Sequence, residues 1–127
     1  MNRMLAFVAA IAAPLFCQAQ DAAVTDGDKY KVLLDNSCVR VLEYRDEPGQ
    51  KTHQHHHPAF VLYALSPFKR VIHLPDGSVI NRSFNAGDVI WSQAQTHIGE
   101  NVGTTPTRAL IVEIKPSGKE LPECLGQ

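Results

Sequence analysis

The sequence predicts an all-β fold, a small antiparallel β-barrel or jelly roll. Short β-type runs separated by turn residues recur along the chain, and no stretch has the pattern of a long helix. The runs are YKVLL, VRVLEY, AFVLYAL, KRVIHL, SVINRSF, DVIW and RALIVEI. Between KRVIHL and SVINRSF, the pair Asp76-Gly77 is typical of a tight hairpin turn. A length of 127 residues with 44% hydrophobic residues suits one domain with one core.

The N-terminal segment at 1–19 has the pattern of a secretory signal peptide. Arg3 precedes an apolar run from Met4 to Cys17, and a small-residue cleavage site ends at Ala19. The run is shorter than the roughly 20 residues that cross a bilayer, so we expect no stable membrane span. A membrane anchor and a lipid attached at Cys17 are the alternatives. Export across the inner membrane, to the periplasm, is therefore expected.

The rest of the chain divides into three expected parts. Residues 20–29 are polar and small and are predicted to form a flexible lead-in, 30–115 the barrel, and 116–127 a C-terminal tail. Two cysteines remain after cleavage, Cys38 and Cys124. In an oxidising compartment they could form a disulfide, and the alternative is two separately buried thiols; spacing alone leaves both open.

Charge and motif content exclude several function classes. The 12 basic and 13 acidic residues are scattered along the chain, so the sequence has no basic patch for nucleic acid. No serine or cysteine stands in a nucleophile motif, and no glycine-rich phosphate loop follows a strand. Hydrolases of the triad type and nucleotide-binding proteins are therefore not expected.

The stretch KTHQHHHP holds four of the six histidines. In a strand, alternate side chains share a face, so His55 and His57 can converge on one metal ion, whereas His56 points away. His53 is too far along a straight strand to join them and is expected at the rim of the site or behind its ligands. The alternative is a solvated, histidine-rich loop with adventitious metal affinity.

A second histidine motif, NAGDVIWSQAQTHIGENVG, completes a resemblance to the cupin superfamily of metal-binding β-barrels. Gly49 followed after five residues by His55-His56-His57 resembles the first cupin motif. Gly87, then His97 and Asn101, resembles the second. The resemblance covers the barrel at 30–115 and implies a metal site of three histidines, His55, His57 and His97.

The chain departs from the cupin motifs in three places. Val61 and Leu62 stand where the family has a metal-binding glutamate, and Lys69 and Arg70 fill the region of the first motif's closing glycine. Gln93-Ala94-Gln95 replaces the Pro-x-Gly of the second motif, which is also one residue short. The fourth metal ligand is therefore left open.

Other residues near the motifs are candidates for the surroundings of the site. Gln93 and Gln95 could hydrogen-bond a ligand or a bound histidine. Tyr63 and Trp91, together with Phe60, are expected to fill the barrel, with contact to a substrate as the alternative. Metal affinity should fall as the pH drops through the histidine range near 6.5.

The resemblance implies two functions from different classes. The first is an exported cupin that binds one divalent transition metal and acts as an oxygenase-type enzyme on a small molecule, as the three-histidine iron site of the thiol dioxygenases suggests. The second is a non-catalytic protein that binds or senses a small ligand or the metal. Iron is expected for the enzyme, and zinc, manganese, nickel and copper are alternatives. A third outcome is a cupin that has lost its metal and keeps an apolar pocket. Proteins of this family often form homodimers, and the sequence leaves the oligomeric state open.

Overall fold

The computed structural model describes residues 20–116 and Cys124. The expected signal peptide and most of the expected C-terminal tail lie outside the described residues. One short helix and nine strands make up the described part: α1 (Ala22–Thr25), β1 (Tyr30–Asp35), β2 (Val39–Asp46), β3 (His55–His57), β4 (Phe60–Ala64), β5 (Phe68–His73), β6 (Val79–Phe84), β7 (Val89–Ser92), β8 (Gln95–Asn101) and β9 (Thr107–Ile114). In this part of the chain no helix has the length and apolar character needed to cross a membrane.

Two antiparallel sheets form the fold, as the sequence predicts. One has five strands in the order β1-β2-β9-β4-β7, and the other has four in the order β3-β8-β5-β6. The Asp76-Gly77 turn joins β5 to β6 as a hairpin, in which Leu74 N–H donates to the carbonyl of Ser78. Gly77 has φ +85, a conformation that other residues rarely adopt.

The core lies between the sheets and follows the alternation of each strand. On β9, Thr107, Ala109, Ile111 and Glu113 are buried, while the residues between them face outward. β4 turns Phe60 inward, where it joins the core.

Tyr63 and Trp91 do not fill the barrel, contrary to the expectation from sequence. Tyr63 is 44% exposed and Trp91 is 55% exposed. The reason is register: Tyr63 pairs with Val89 and Trp91 with Val61, at positions that alternate with the more buried positions of the two strands. Only Phe60 of the three aromatic residues takes the predicted place.

The segment 20–29, predicted to be a flexible lead-in, contains the helix α1 and packs against the barrel. Asp21 caps α1 by accepting a hydrogen bond from Ala23 N–H at 2.8 Å. Ala22 and Asp26 are buried, and α1 packs against β1 and β3. The Gln20 carbonyl accepts a hydrogen bond from His56 N–H at 2.9 Å, so this segment covers one side of the histidine strand.

Cys38 and Cys124 form a disulfide, the first of the two alternatives that the sequence leaves open. Their Cα atoms are 5.6 Å apart, and 86 positions separate them along the chain. The bond ties Cys124 to Cys38, the residue just before β2. A crosslink over so long a loop removes much conformational entropy from the unfolded chain.

Candidate metal centre

Three histidines from two neighbouring strands meet inside the barrel. β3 pairs with β8 so that His55 lies directly opposite His97, and His57 lies two residues further on the same face of β3. The side chains are buried, with relative exposures of 0% for His55, 1% for His57 and 6% for His97. One ring nitrogen of each lies within 4.8 Å of the others. The structure therefore brings together the three residues that the sequence predicts as ligands.

The ring of His57 is oriented by a hydrogen bond to a buried carboxylate. Its Nδ1–H donates to Glu113 Oε1 at 2.6 Å, and the other oxygen of Glu113 accepts from Arg40 Nε at 2.6 Å. Arg40 also donates to Asp21 at 2.6 Å. Burial by itself would raise the pKa of Glu113, but the hydrogen bonds from His57 and Arg40 outweigh it and hold the pKa below its usual value. An ionised Glu113 keeps the proton on Nδ1, which leaves Nε2 of His57 with a free lone pair.

His55 is fixed by backbone on one side and by a tyrosine on the other. Its Nδ1–H donates to the carbonyl of His53 at 2.9 Å. Its Nε2 accepts a hydrogen bond from the hydroxyl of Tyr30 at 3.1 Å. Burial raises the pKa of Tyr30 well above its ordinary value, so the phenol keeps its proton and acts as the donor. Nε2 is thus the nitrogen of His55 that would bind a metal, and the metal would displace the hydrogen bond from Tyr30.

His97 has a buried nitrogen that no described residue satisfies. Its Nδ1 is inaccessible to solvent and has no hydrogen-bond partner. Such orphaned atoms are rare in folded proteins, and a metal ion or an ordered water is the usual explanation. The unpaired Nδ1 of His97 is therefore an observation in favour of a ligand at this site.

Burial keeps two of the three imidazoles neutral far below their ordinary range. Burial, followed by the positive charge that His57 would carry, lowers the pKa of His55 to about 4. Burial, followed by the neighbouring His55 and His57, lowers the pKa of His97 to about 2. The expectation that metal affinity falls near pH 6.5 therefore needs correction for these two ligands, since their protonation belongs to more acidic pH.

A cavity of about 100 Å³ opens beside the histidines. His57 and His97 form part of its wall, and most of the rest is apolar, with Leu62, Ile72 and Ile111 among the lining residues. No aspartate or glutamate lines it within the described residues. Its charged side chains are arginines, Arg70 and Arg82. A ligand that enters the cavity therefore meets apolar surface, histidines and positive charge.

The residues predicted to surround the site divide into two groups. Gln95 lines the cavity and donates to Ser92 Oγ at 3.0 Å, and Trp91 also belongs to the lining despite its exposure. Tyr63 and Gln93 are exposed and lie outside the lining. The side chain of His53 is 79% exposed and its Nδ1 hydrogen-bonds Asp26 at 3.0 Å, so His53 contributes to the site through its carbonyl oxygen.

Sequence reasoning missed four residues that shape the site: Tyr30, Arg40, Arg70 and Glu113. For Arg40 and Glu113, the alternation of inward and outward side chains along their strands contained a signal. Arg40 falls in the alternation of Leu42 and Tyr44, and Glu113 in that of Ala109 and Ile111, which are apolar positions of the inward face. A charged residue in phase with an apolar face is a candidate for a buried role.

The donor set fits a transition metal with an open coordination position. The cluster found among the described residues consists of three histidines without a carboxylate. Val61, at the place of the family's glutamate, faces outward, and Leu62 lines the cavity. In His55 and His57 a hydrogen bond keeps the proton on Nδ1, so that Nε2 can bind the metal, as is usual for metal-binding histidines. Three neutral imidazoles leave a divalent ion its full charge.

Asn101, the last residue of the second cupin-like motif, is buried away from the ligands and has a structural part. Its Nδ2 donates to Asp46 Oδ1 and to the carbonyl of Thr105, both at 3.0 Å. The residue thereby fixes the end of β8, the strand that carries His97, to β2 and to the loop before β9.

Comparison with known proteins places the fold. No protein-family model matches the sequence, and no curated protein is detectably similar to it. A cupin domain from Bordetella pertussis Tohama I is 25% identical with a TM-score of 0.62, over 68% of this chain and 91% of that one. An uncharacterized conserved protein with a double-stranded beta-helix domain from Klebsiella pneumoniae is 23% identical with a TM-score of 0.54, over 72% and 78%. A predicted oxalate decarboxylase from Thermotoga maritima is 26% identical with a TM-score of 0.50, over 68% and 78%.

These similarities agree with the two antiparallel sheets of the fold. They confirm the resemblance that the two histidine motifs indicate. The chain has the double-stranded β-helix fold of the cupin superfamily.

Proposed function

We propose that the protein is an exported cupin that binds one divalent transition metal through His55, His57 and His97 and uses it in an oxygenase-type reaction on a small molecule. The observation that carries the proposal is the convergence of three buried imidazoles whose ring nitrogens lie within 4.8 Å of one another. The bound metal would supply an open coordination position and Lewis-acid or redox chemistry.

The protein's own residues would do three things for such a metal. Glu113 and the carbonyl of His53 hold two imidazoles in the tautomer that presents Nε2 to the ion. The apolar lining excludes water from the ligand that occupies the cavity. The hydroxyl of Tyr30, 3.1 Å from Nε2 of His55, stands as a hydrogen-bond donor beside the coordination site.

Export is supported by the pattern of the N-terminal segment and by the disulfide. Protein disulfides persist in oxidising compartments such as the bacterial periplasm and are rare in the cytosol. The pairing of Cys38 with Cys124 is what a protein of the periplasm would show. We therefore propose the periplasm as its location.

A second candidate is a non-catalytic protein that binds a small ligand at the metal. The absence of any carboxylate from the described cavity lining favours it, because the cavity then holds no acidic side chain for general acid–base work. Similarity to a predicted oxalate decarboxylase supports the enzyme instead. Turnover is the property that separates the two candidates.

The test is elemental analysis of the untagged protein purified from its native compartment, beside two double variants. His55→Ala with His57→Ala removes two proposed ligands. His56→Ala with His73→Ala is the matched control, since neither histidine belongs to the cluster. We expect about one metal ion per chain in the wild type and the control and none in the ligand variant.

Iron in the wild type, with oxygen uptake when a substrate is added, would support the enzyme. Zinc without turnover, but with saturable ligand binding, would support the second candidate. Equal metal content in all three proteins, or no metal in any of them, would refute the three-histidine site.

A further inference from the structure

Two arginines stand directly opposite each other on neighbouring strands of the barrel wall. Arg70 on β5 pairs with Arg82 on β6. Both line the cavity, as do Ile72 and Ile80, the next residues of the same face on the two strands. Like charges directly opposite in an antiparallel pair repel each other and destabilise the sheet. The arrangement is unfavourable unless negative charge is brought to it.

The fold supplies negative charge for one of the two arginines. Arg70 is 7% exposed and donates from Nη1 to Asp46 at 2.7 Å and from Nη2 to the hydroxyl of Tyr44 at 3.0 Å. Asp46 is itself 4% exposed, so the pair is a buried and mutually compensated one. The charge of Arg70 is thus balanced within the protein.

Arg82 has no such compensation. Its side chain has neither an ion pair nor a side-chain hydrogen bond with any residue from 20 to 116. It is exposed while still lining the cavity, which places it where the cavity meets solvent. Because no acidic side chain shares the described lining, the entrance carries a free positive charge.

The distance between the arginines and the histidines, and the surface between them, indicate what kind of ligand fits the cavity. Arg70 pairs with Asn101 on β8, and Asn101 is four residues beyond His97, a backbone separation of about 13 Å along the strand. Between them, Ile72 pairs with Gly99 and with Ile80, and both isoleucines line the cavity. The wall therefore runs from positive charge, across apolar surface, to the histidines.

We propose that the cavity takes a small organic monocarboxylate with an apolar body. Its carboxylate binds Arg82, and its other end faces His57 and His97, the two histidines of the cavity lining. The proposal rests on the proposed function for the end of the ligand that meets the metal. The guanidinium of Arg82 is suited to a carboxylate because two of its N–H groups, lying side by side, can bind both oxygens. The cavity of about 100 Å³ restricts the ligand to a small molecule.

The experiment measures binding of hexanoate and of hexanamide, which have the same chain and differ in charge, to the zinc-loaded protein by titration calorimetry. We expect hexanoate to bind at least ten times more tightly than hexanamide. Arg82→Gln should weaken hexanoate binding by about 10- to 100-fold and leave hexanamide unchanged, since it removes a charge-assisted hydrogen bond. Arg82→Lys should restore part of the loss because it restores the charge.

Arg108→Gln is the matched control, because Arg108 faces outward from β9 and pairs with Glu43 on the outer surface. It should bind hexanoate as the wild type does. Equal affinity for hexanoate and hexanamide, no binding of either, or an unchanged affinity in Arg82→Gln would overturn the proposal.

A separate titration distinguishes failure of this proposal from failure of the metal site. The variant His55→Ala with His57→Ala is titrated with hexanoate in parallel with Arg82→Gln, and the metal content of every sample is measured. Arg82→Gln should keep its metal. If the wild type holds no metal yet binds hexanoate through Arg82, the carboxylate site stands and the metal proposal falls.

Discussion

Replacing Glu113 with glutamine tests whether the buried carboxylate sets the metal affinity of His57. Both oxygens of Glu113 accept hydrogen bonds at 2.6 Å, one from Nδ1–H of His57 and one from Arg40, and the side chain is 1% exposed. Glutamine has one acceptor oxygen, so its amide N–H₂ must face one of these two donors. A lost hydrogen bond to a charged group costs about 1.5–3 kcal/mol. We expect the dissociation constant of the metal to rise about 10- to 100-fold, as loss of such supporting residues does in metal sites.

The assay is competition with a chromophoric chelator, using zinc and apo-protein at pH 7.5. Glu43→Gln is the control, because Glu43 is likewise paired with an arginine, Arg45, but on the outward positions of β2. The unfolding free energy of each apo-variant is measured alongside, to separate affinity from folding. A metal affinity of Glu113→Gln within twofold of the wild type, with the protein folded, would refute the reasoning.

Three further outcomes follow from the same contacts. Tyr30→Phe removes the hydroxyl that occupies Nε2 of His55, so the apo-protein should lose about 1 kcal/mol of stability while zinc binds as tightly or more tightly; a tenfold weaker affinity would show that the hydroxyl helps hold the metal. The pKa values of about 4 for His55 and about 2 for His97 lie below 6.5, so below pH 6.5 the unfolded chain binds protons that the folded chain does not. Urea unfolding of the apo-protein should therefore show stability falling by about 1.4 kcal/mol per histidine for each pH unit from 6.5 towards 4, and a flat profile would contradict this burial. Cys38→Ser should lower stability by about 2–4 kcal/mol in thermal unfolding, and adding a reductant to the wild type should give the same loss; equal melting temperatures would show that the bond to Cys124 contributes nothing.

The strands were predictable where side chains alternate or run apolar. All the β-type runs named from sequence are strands in the structure, and the Asp76-Gly77 hairpin joins the two strands expected. β8 is the main strand that the sequence pattern does not indicate. Its residues, QTHIGEN, are largely polar and include a glycine, because its inward positions hold His97, Gly99 and Asn101 rather than hydrophobic side chains. A strand that lines a polar site lacks the signal by which strands are recognised.

The histidine ligands could be named from motif spacing, whereas their supports could not. Alternation shows that Glu113 and Arg40 share a face with apolar neighbours, but it does not show that the two side chains meet, since they are 73 positions apart. That contact depends on β2 and β9 being neighbours in the sheet, where Arg40 pairs with Glu113 directly. The outward orientation of Trp91 likewise follows from register with Val61, which one strand's sequence does not contain.

The position of the residues just before the barrel affects how the metal content of this protein should be measured. Gln20 is hydrogen-bonded through its carbonyl to the backbone of His56, between two of the three clustered histidines, and Asp21 is bonded to Arg40 behind Glu113. A fusion attached directly before Gln20 would therefore emerge beside the metal site. A polyhistidine tag in that position would place competing imidazoles next to the coordination site, and metal stoichiometry from such a preparation would report on the tag as well as on the barrel. Attachment at a distance, or removal of the tag before analysis, keeps the count specific to the barrel.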